Sequence, residues 1–207
     1  MKLFGTDGIR GKYNESPINH NELIKIGYSF AKVLFGKKKG EILISNDGRQ
    51  SSSAIELALS IGISHQGSKV SSIGLYPTPA LSILLNTTSS KSGLHAGIQI
   101  TASHNPYYDN GVKFFDGNGF KINSILEKDI EDSYLVYNQE IDITTNNFSK
   151  LNAPDSYNQH YINYINYYFY LKMKDVKIPK RKFNILVDCA NGATSVVISR
   201  ILQDSFI

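Results

Sequence analysis

Glu41-Ile42-Leu43-Ile44-Ser45-Asn46-Asp47-Gly48-Arg49 sets an unbroken apolar triplet directly before an Asn-Asp-Gly turn. Continuous apolar residues suit a strand covered on both faces, as in a parallel sheet, whereas a half-solvated strand alternates. Such a strand needs helices around it, and both flanks supply them. Upstream, Leu23, Ile26, Phe30, Val33 and Leu34 recur at helical spacing between Pro17 and Gly36, which predicts an amphipathic helix over residues 19–35. Downstream, Ser51, Ser52 and Ser53 offer N-caps, and Ile55, Ala58, Leu59, Ile61 and Gly62 form the packed face of a second helix that breaks at Gly67. The alternation continues with a strand over 69–73, a helix over 79–85 opened by Pro79, and a strand over 94–100. A turn at Asp109-Asn110-Gly111, a strand over 112–115 and a helix over 125–137 follow. Alternating strands and helices predict an α/β domain with a mixed sheet.

Residues 141–153 are polar and weakly periodic, and read as a linker with a boundary near 150. The expected organisation is therefore one complete α/β domain over 1–150, then a linker and the truncated start of a second α/β domain over 151–207. In that second part Tyr157, Tyr161, Tyr164 and Tyr168 make one helical stripe, which predicts a core or interdomain face. A strand over 183–187 leads through Asp188-Cys189-Ala190-Asn191-Gly192-Ala193 into a helix over 194–202. One strand and part of a helix bury no core of their own.

With 207 residues and 41% of them hydrophobic, the chain carries enough apolar surface for a core, which excludes a disordered protein. A net charge of +4 favours a phosphorylated substrate, but it is spread too thinly to imply a nucleic-acid partner. The lone Cys189 has no intramolecular disulfide partner, which points to a reducing compartment. No apolar run approaches the roughly 18 residues of a membrane span. The expectation is a cytoplasmic protein without a membrane partner.

Three Gly-rich or polar turns can carry chemistry: Gly5-Thr6-Asp7-Gly8-Ile9-Arg10-Gly11, Thr101-Ala102-Ser103-His104-Asn105-Pro106, and Asp109-Asn110-Gly111-Val112-Lys113. Ser103 follows a strand at its C-terminal end, where open α/β sheets place ligands. A serine hydroxyl needs a neighbouring base or cation, and His104, Lys113 and Arg10 are the candidates these turns provide. A capping serine is the structural alternative. Neither a Walker-type phosphate loop nor G-x-S-x-G is present, and the five histidines lack the spacing of a zinc site.

Taken together, Phe4-Gly5-Thr6-Asp7-Gly8-Ile9-Arg10-Gly11, Pro77-Thr78-Pro79-Ala80 and the run from Thr101 through Tyr107-Tyr108-Asp109-Asn110-Gly111 to Phe115 resemble the α-D-phosphohexomutase superfamily. The likeness is strongest to its bacterial phosphoglucosamine mutase branch, and Asp188-Cys189-Ala190-Asn191-Gly192-Ala193 resembles the start of that family's second domain. The resemblance implies a phosphoserine at Ser103, with Mg²⁺ bound through its phosphate. It also implies Arg10 and Lys113 as cations facing the phosphoryl group, with Lys113 assisting proton transfer and His104 touching the phosphoserine or the substrate. Arg10, His104 and Lys113 thereby become substrate-binding as well as catalytic. The implied reaction interconverts glucosamine 6-phosphate and glucosamine 1-phosphate, a cell-wall precursor, through a bound 1,6-bisphosphate. Glucosamine or glucose 1,6-bisphosphate would serve as activator. Glucose or mannose phosphates are the alternative substrates, and an inactive fragment is the alternative outside catalysis.

The sequence departs from the family in two ways. The Asp-x-Asp-x-Asp-Arg metal run has no counterpart in it, so the main aspartate ligands of Mg²⁺ are missing and a complementary chain is the partner expected if the enzyme is split. Ser45-Asn46-Asp47-Gly48-Arg49 also replaces the family's usual Lys-Asp-Thr-Arg, keeping Asp47 and Arg49.

Overall fold

The computed structural model describes residues 2–92, 94–138, 150–152, 155–176 and 184–205. In chain order these form β1 (Ile9–Lys12), α1 (His20–Phe35), β2 (Glu41–Asn46), α2 (Ser52–Gln66), β3 (Lys69–Leu75), α3 (Thr78–Ser92) and β4 (Leu94–Ile100). They continue with β5 (Asp109–Asp116), α4 (Ser124–Leu135), β6 (Lys150–Asn152), α5 (Asp155–Met173), a 3-10 turn (Ala193–Val196) and α6 (Ile198–Ser205). The fold is α/β with a mixed sheet of strand order β1-β5-β4-β2-β3-β6. β4, β2, β3 and β6 run parallel, while β5 is antiparallel to both β4 and β1.

Side chains of successive strand residues leave the sheet on opposite faces, and this divides the core in two. Ile42, Ile44, Ile98 and Phe114 face one side, where they join Leu23, Ile26 and Phe30 of α1 and Ile55 and Leu59 of α2. Leu43 and Phe115 face the other side, against Leu81, Leu84 and Leu85 of α3. Each fully buried Leu, Ile or Phe contributes roughly 1.5–3 kcal/mol, so these two faces account for most of the domain's stability. Tyr161 and Ile162 of α5 and Val197, between the 3-10 turn and α6, extend the second face by clustering with Tyr76 and Ala80, with Ile201 of α6 packed against them. Of the tyrosine stripe, Tyr161 is thus core, while Tyr168 is exposed.

Local chemistry fixes the element ends. The Asn19 Oδ1 accepts the Glu22 backbone N–H at 3.0 Å, and Asn19 Nδ2 donates back to Glu22 Oε2 at 2.9 Å, a reciprocal cap for α1. Ser51 precedes α2 without a capping bond, because its hydroxyl donates to Asn110 Oδ1 instead. α3 runs to Ser92 rather than ending at residue 85. Thr87 and Thr88 continue it by bonding back to the carbonyls of Ile83 and Leu84, which Ser/Thr side chains do inside helices.

Three expectations are corrected. Residues 9–11 of the segment 5–11 read as a turn, and residues 109–111 read as another, are strand: Arg10 pairs with Gly111 and Gly11 with Asn110, each supplying the ladder the other needs. Lys150–Asn152, read as linker, form an edge strand beside Val70–Ser72 of β3, while residues 141–149 of that linker lie outside the described residues. Residues 184–187 are not a strand; no described residue pairs with them and Leu186 is 98% exposed, while Phe183 lies outside the described residues.

One packing contact predicts a pH dependence. The Tyr134 hydroxyl donates to Glu22 Oε1 at 3.2 Å, tying α4 to α1, and burial, then the Glu22 carboxylate, push its pKa up to about 12. An unfolded tyrosine titrates near 10. The folded chain therefore keeps a proton that the unfolded chain loses, so this contribution is complete below pH 10 and disappears as pH rises through 12. Tyr134→Phe should accordingly lose less stability than the parent between pH 9 and 11, read from urea midpoints. Equal losses in the two proteins would refute the assignment.

Candidate active site

β2, β3 and β4 are parallel and end at one rim, and the chain leaving each of them is tied to a neighbour. The Asp47 N–H donates to the Ile100 carbonyl at 3.1 Å, Tyr76 N–H to Asn46 O at 3.0 Å, and Thr101 N–H to Gly111 O at 2.9 Å. α2 and α3, which follow β2 and β3, lie on opposite faces of the sheet. A crevice at the carboxyl ends of parallel strands results, the usual ligand position of such sheets. A cavity of about 550 Å³ occupies it, lined by Asp47, Arg49, Thr78, Ser103, Asn105 and Asn191 among others. Beneath it, buried Gln99 accepts from Ser45 Oγ at 2.5 Å and donates to the Tyr76 carbonyl at 3.3 Å, so its amide satisfies the floor of the site. Burial raises the pKa of the Tyr76 hydroxyl, partly offset by Arg200.

Ser103 is exposed at this rim and adopts φ 58°, a left-handed conformation that costs a non-glycine residue roughly 1–2 kcal/mol. Its N–H donates to Thr101 Oγ1 at 2.9 Å, and its Oγ lies 3.5 Å from His104 Nδ1. Asn105 N–H closes the turn on the Ala102 carbonyl at 3.1 Å, and Asn105 Nδ2 donates to Asp109 Oδ2 at 3.0 Å. Backbone strain held by surrounding bonds is a feature of functional turns.

The other predicted residues fall nearby in different ways. Arg10 Nη1 donates to Asn105 Oδ1 at 3.4 Å and Nη2 to Asp7 Oδ2 at 3.3 Å, and its buried Nε has no partner among the described residues. Arg10 lines a second cavity of about 550 Å³, shaped by residues 2–8, rather than the cleft at Ser103. The Leu3 and Phe4 N–H groups anchor this segment by donating to Glu131 Oε1 at 2.7 and 2.9 Å. Gly8 permits the fold-back: at φ 90°, a Cβ there would sit 2.3 Å from the Val112 carbonyl oxygen. Lys113 lies directly opposite Gln99 in the β4–β5 ladder and so shares its face of the sheet. It is half-buried with no hydrogen-bond or ion-pair partner among the described residues. The structure thus places Ser103 and His104 side by side and ties Arg10 to their loop through Asn105. Lys113 stands one strand away.

Arg49 was noted in the sequence only as part of a motif. Its side chain is 11% exposed, and Nε donates to Asp47 Oδ2 at 3.0 Å. Nη1 donates to the carbonyls of Pro106 and Asp109 at 2.6 and 2.8 Å, and Nη2 to those of Ser103 and Asn105 at 3.0 Å each. A charged residue at the carboxyl end of a buried strand was the available signal.

Among the described residues no group of three or more His, Cys, Asp or Glu is arranged to hold a metal ion, and no helix is long and apolar enough to cross a membrane.

The sequence model of the family "Phosphoglucomutase/phosphomannomutase, alpha/beta/alpha domain I" matches residues 1–140. Phosphoglucosamine mutase of Histophilus somni (strain 2336) is 36% identical over 203 residues, and that of Pseudoalteromonas atlantica is 37% identical over 210. Each alignment takes in 98% of this chain and 43% of the relative, so the chain spans less than half the length of the curated relatives it matches. The crystal structure of a phosphoglucomutase/phosphomannomutase family protein from Burkholderia thailandensis superposes with a TM-score of 0.74 at 22% identity. That superposition covers 99% of this chain and 42% of the other, and it supports the same fold.

Proposed function

Because the chain belongs to the phosphoglucomutase/phosphomannomutase family, part of the α-D-phosphohexomutase superfamily, we propose that Ser103 is its phosphoryl carrier and that the protein interconverts glucosamine 6-phosphate and glucosamine 1-phosphate. The observation that carries this reading is the position of Ser103: exposed, strained and held by its loop at the mouth of the cleft where three parallel strands end.

In the proposed cycle the phosphoserine P–Oγ bond breaks as a sugar oxygen bonds to phosphorus. The sugar hydroxyl gives up its proton, and Ser103 Oγ regains one when its phosphoryl group has left. The resulting 1,6-bisphosphate turns over and returns its other phosphate to Ser103. Positioning and charge neutralisation dominate phosphoryl transfer, so fixed cations matter more than a strong base. Arg10, already bonded to the serine loop, and Lys113, with no ion-pair partner among the described residues, are the cations assigned to that charge. His104, 3.5 Å from Oγ, is placed to exchange a proton there, and Lys113 assists at the sugar hydroxyl. Mg²⁺ is part of the proposal only with donors beyond these residues. Asp47, the carboxylate lining the cleft, is taken up by Arg49, and one serine oxygen does not make the near-octahedral shell Mg²⁺ takes.

The match over 1–140 supports a first domain ending near 150, with the remainder opening a second. The amino sugar is favoured over glucose or mannose phosphate by the names of the relatives at 36–37% identity. Phosphorus NMR of the protein with Mg²⁺, a trace of hexose 1,6-bisphosphate and each 6-phosphate in turn tests this. Glucosamine 6-phosphate should be converted with kcat/KM at least about 10-fold above the other two, the discrimination one substituent supplies. Preference for glucose or mannose phosphate would transfer the assignment to that sugar, and no conversion of any would reject the reading.

A further inference from the structure

We propose that Arg49 is the positioning residue of the phosphoryl-carrying loop, a role that rests on the reading of Ser103 given above. A guanidinium has five N–H donors in one plane, and in Arg49 all five are used: one on Asp47 and four on the carbonyls of Ser103, Asn105, Pro106 and Asp109. Those carbonyls span seven residues of chain, so a single side chain fixes the whole turn. The guanidinium is also paired with the Asp47 carboxylate at 3.0 Å. The pair is neutral as a unit, so it adds little field at the phosphoryl group, and its effect is geometric. Lys113 differs in that respect, having no ion-pair partner among the described residues.

The geometry shows what is being positioned. Peptide groups are planar and trans, so a carbonyl turned toward Arg49 turns the following N–H away from it. The Ser103 carbonyl thereby directs the His104 N–H outward, and the Pro106 carbonyl does the same for Tyr107 N–H. Neither N–H has an acceptor among the described residues. Two backbone donors are thus each turned away from Arg49, one of them in the residue next to Ser103. Fixed N–H dipoles of this kind bind a phosphoryl oxygen without reorganising as charge moves. The clamp is itself anchored behind. The Gly48 N–H donates to Asn46 Oδ1 at 3.1 Å, and Asn46 Nδ2 donates to buried Glu56 at 3.0 Å, so the turn carrying Arg49 is tied to α2.

Arg49→Lys keeps the charge but offers three donors for five acceptors, which leaves at least two of them, and so at least one carbonyl, unserved. In the full protein it should lower kcat about 100-fold, the scale of an ångström-level misplacement, with KM within about threefold. Amide hydrogen exchange over 103–109 should quicken while exchange in β2 and β4 is unchanged. If Arg49→Lys folds poorly, Arg49→Ala with added guanidinium chloride provides the second arm: millimolar guanidinium should restore part of kcat, and equal sodium chloride should not. A kcat near wild type in Arg49→Lys, or a fall in kcat with unaltered loop exchange and no guanidinium rescue, overturns the proposal. Should wild-type protein show no transfer to Ser103, the reading of Ser103 fails instead, and loop exchange alone decides whether Arg49 clamps the turn.

Discussion

Ser103→Ala is expected to abolish sugar-phosphate interconversion while leaving the fold intact, since among the described residues the Oγ makes only the 3.5 Å contact with His104, and the residue is exposed. Loss of a covalent carrier removes the pathway itself rather than one interaction, so turnover should fall by at least about 10⁴-fold, as it does when covalent nucleophiles are deleted. Ser103→Gly sharpens the test, because it is equally inactive but differs in stability. Glycine relieves roughly 1–2 kcal/mol of left-handed strain at φ 58° and costs roughly 0.5–1 kcal/mol in unfolded-state entropy, so the net effect is a gain of up to about 1.5 kcal/mol. A stabilised, inactive glycine variant would show that the fold stores strain at the carrier. An active Ser103→Ala would eliminate the mechanism, and a destabilised Ser103→Gly would contradict the backbone geometry.

Gly62→Ala should destabilise the domain more than any surface change. Helix propensity alone predicts the opposite, since alanine improves a helix interior by about 1 kcal/mol over glycine. The crossing of α1 and α2 reverses the sign. A Cβ at Gly62 would lie 1.9 Å from the Ile24 carbonyl oxygen, and one at Gly27 would lie 2.2 Å from that of Leu59. Both obstacles are backbone, so no rotamer change relieves them and the helices must separate. Overpacking costs of roughly 1–3 kcal/mol, occasionally more, apply to cores that can adjust. This one cannot adjust locally, and a net loss of about 3 kcal/mol corresponds to a melting temperature lower by about 6–12 °C for a domain of this size. A shift below about 2 °C would mean that the helices do not cross so closely.

The elements that could be read from the chain are those whose signal is local. The apolar triplet Ile42-Leu43-Ile44 made β2, and the Asn19 cap and 3.6-residue period made α1, because each depends on neighbours within a few residues. β1 and the start of β5 were unreadable for the converse reason. Gly11 and Gly111 carry no strand preference, and what makes them strand is the pairing of Arg10 with Gly111 across about 100 residues of sequence. The edge strand Lys150–Asn152 is similarly imposed by β3. The place of Ser103 at the rim was legible from its position after β4, with its proposed role coming from the family resemblance, whereas the contacts of Arg49 were not legible. Its partners are carbonyls 54 to 60 residues away, and a carbonyl has no identity in a sequence.

The most direct test of the central claim is peptide mass mapping of the protein after incubation with hexose 1,6-bisphosphate and Mg²⁺. The account predicts one phosphate, confined to the peptide containing Ser103, which leaves when glucosamine 6-phosphate is added. Phosphate on another residue, or none on Ser103 in folded protein, would contradict it.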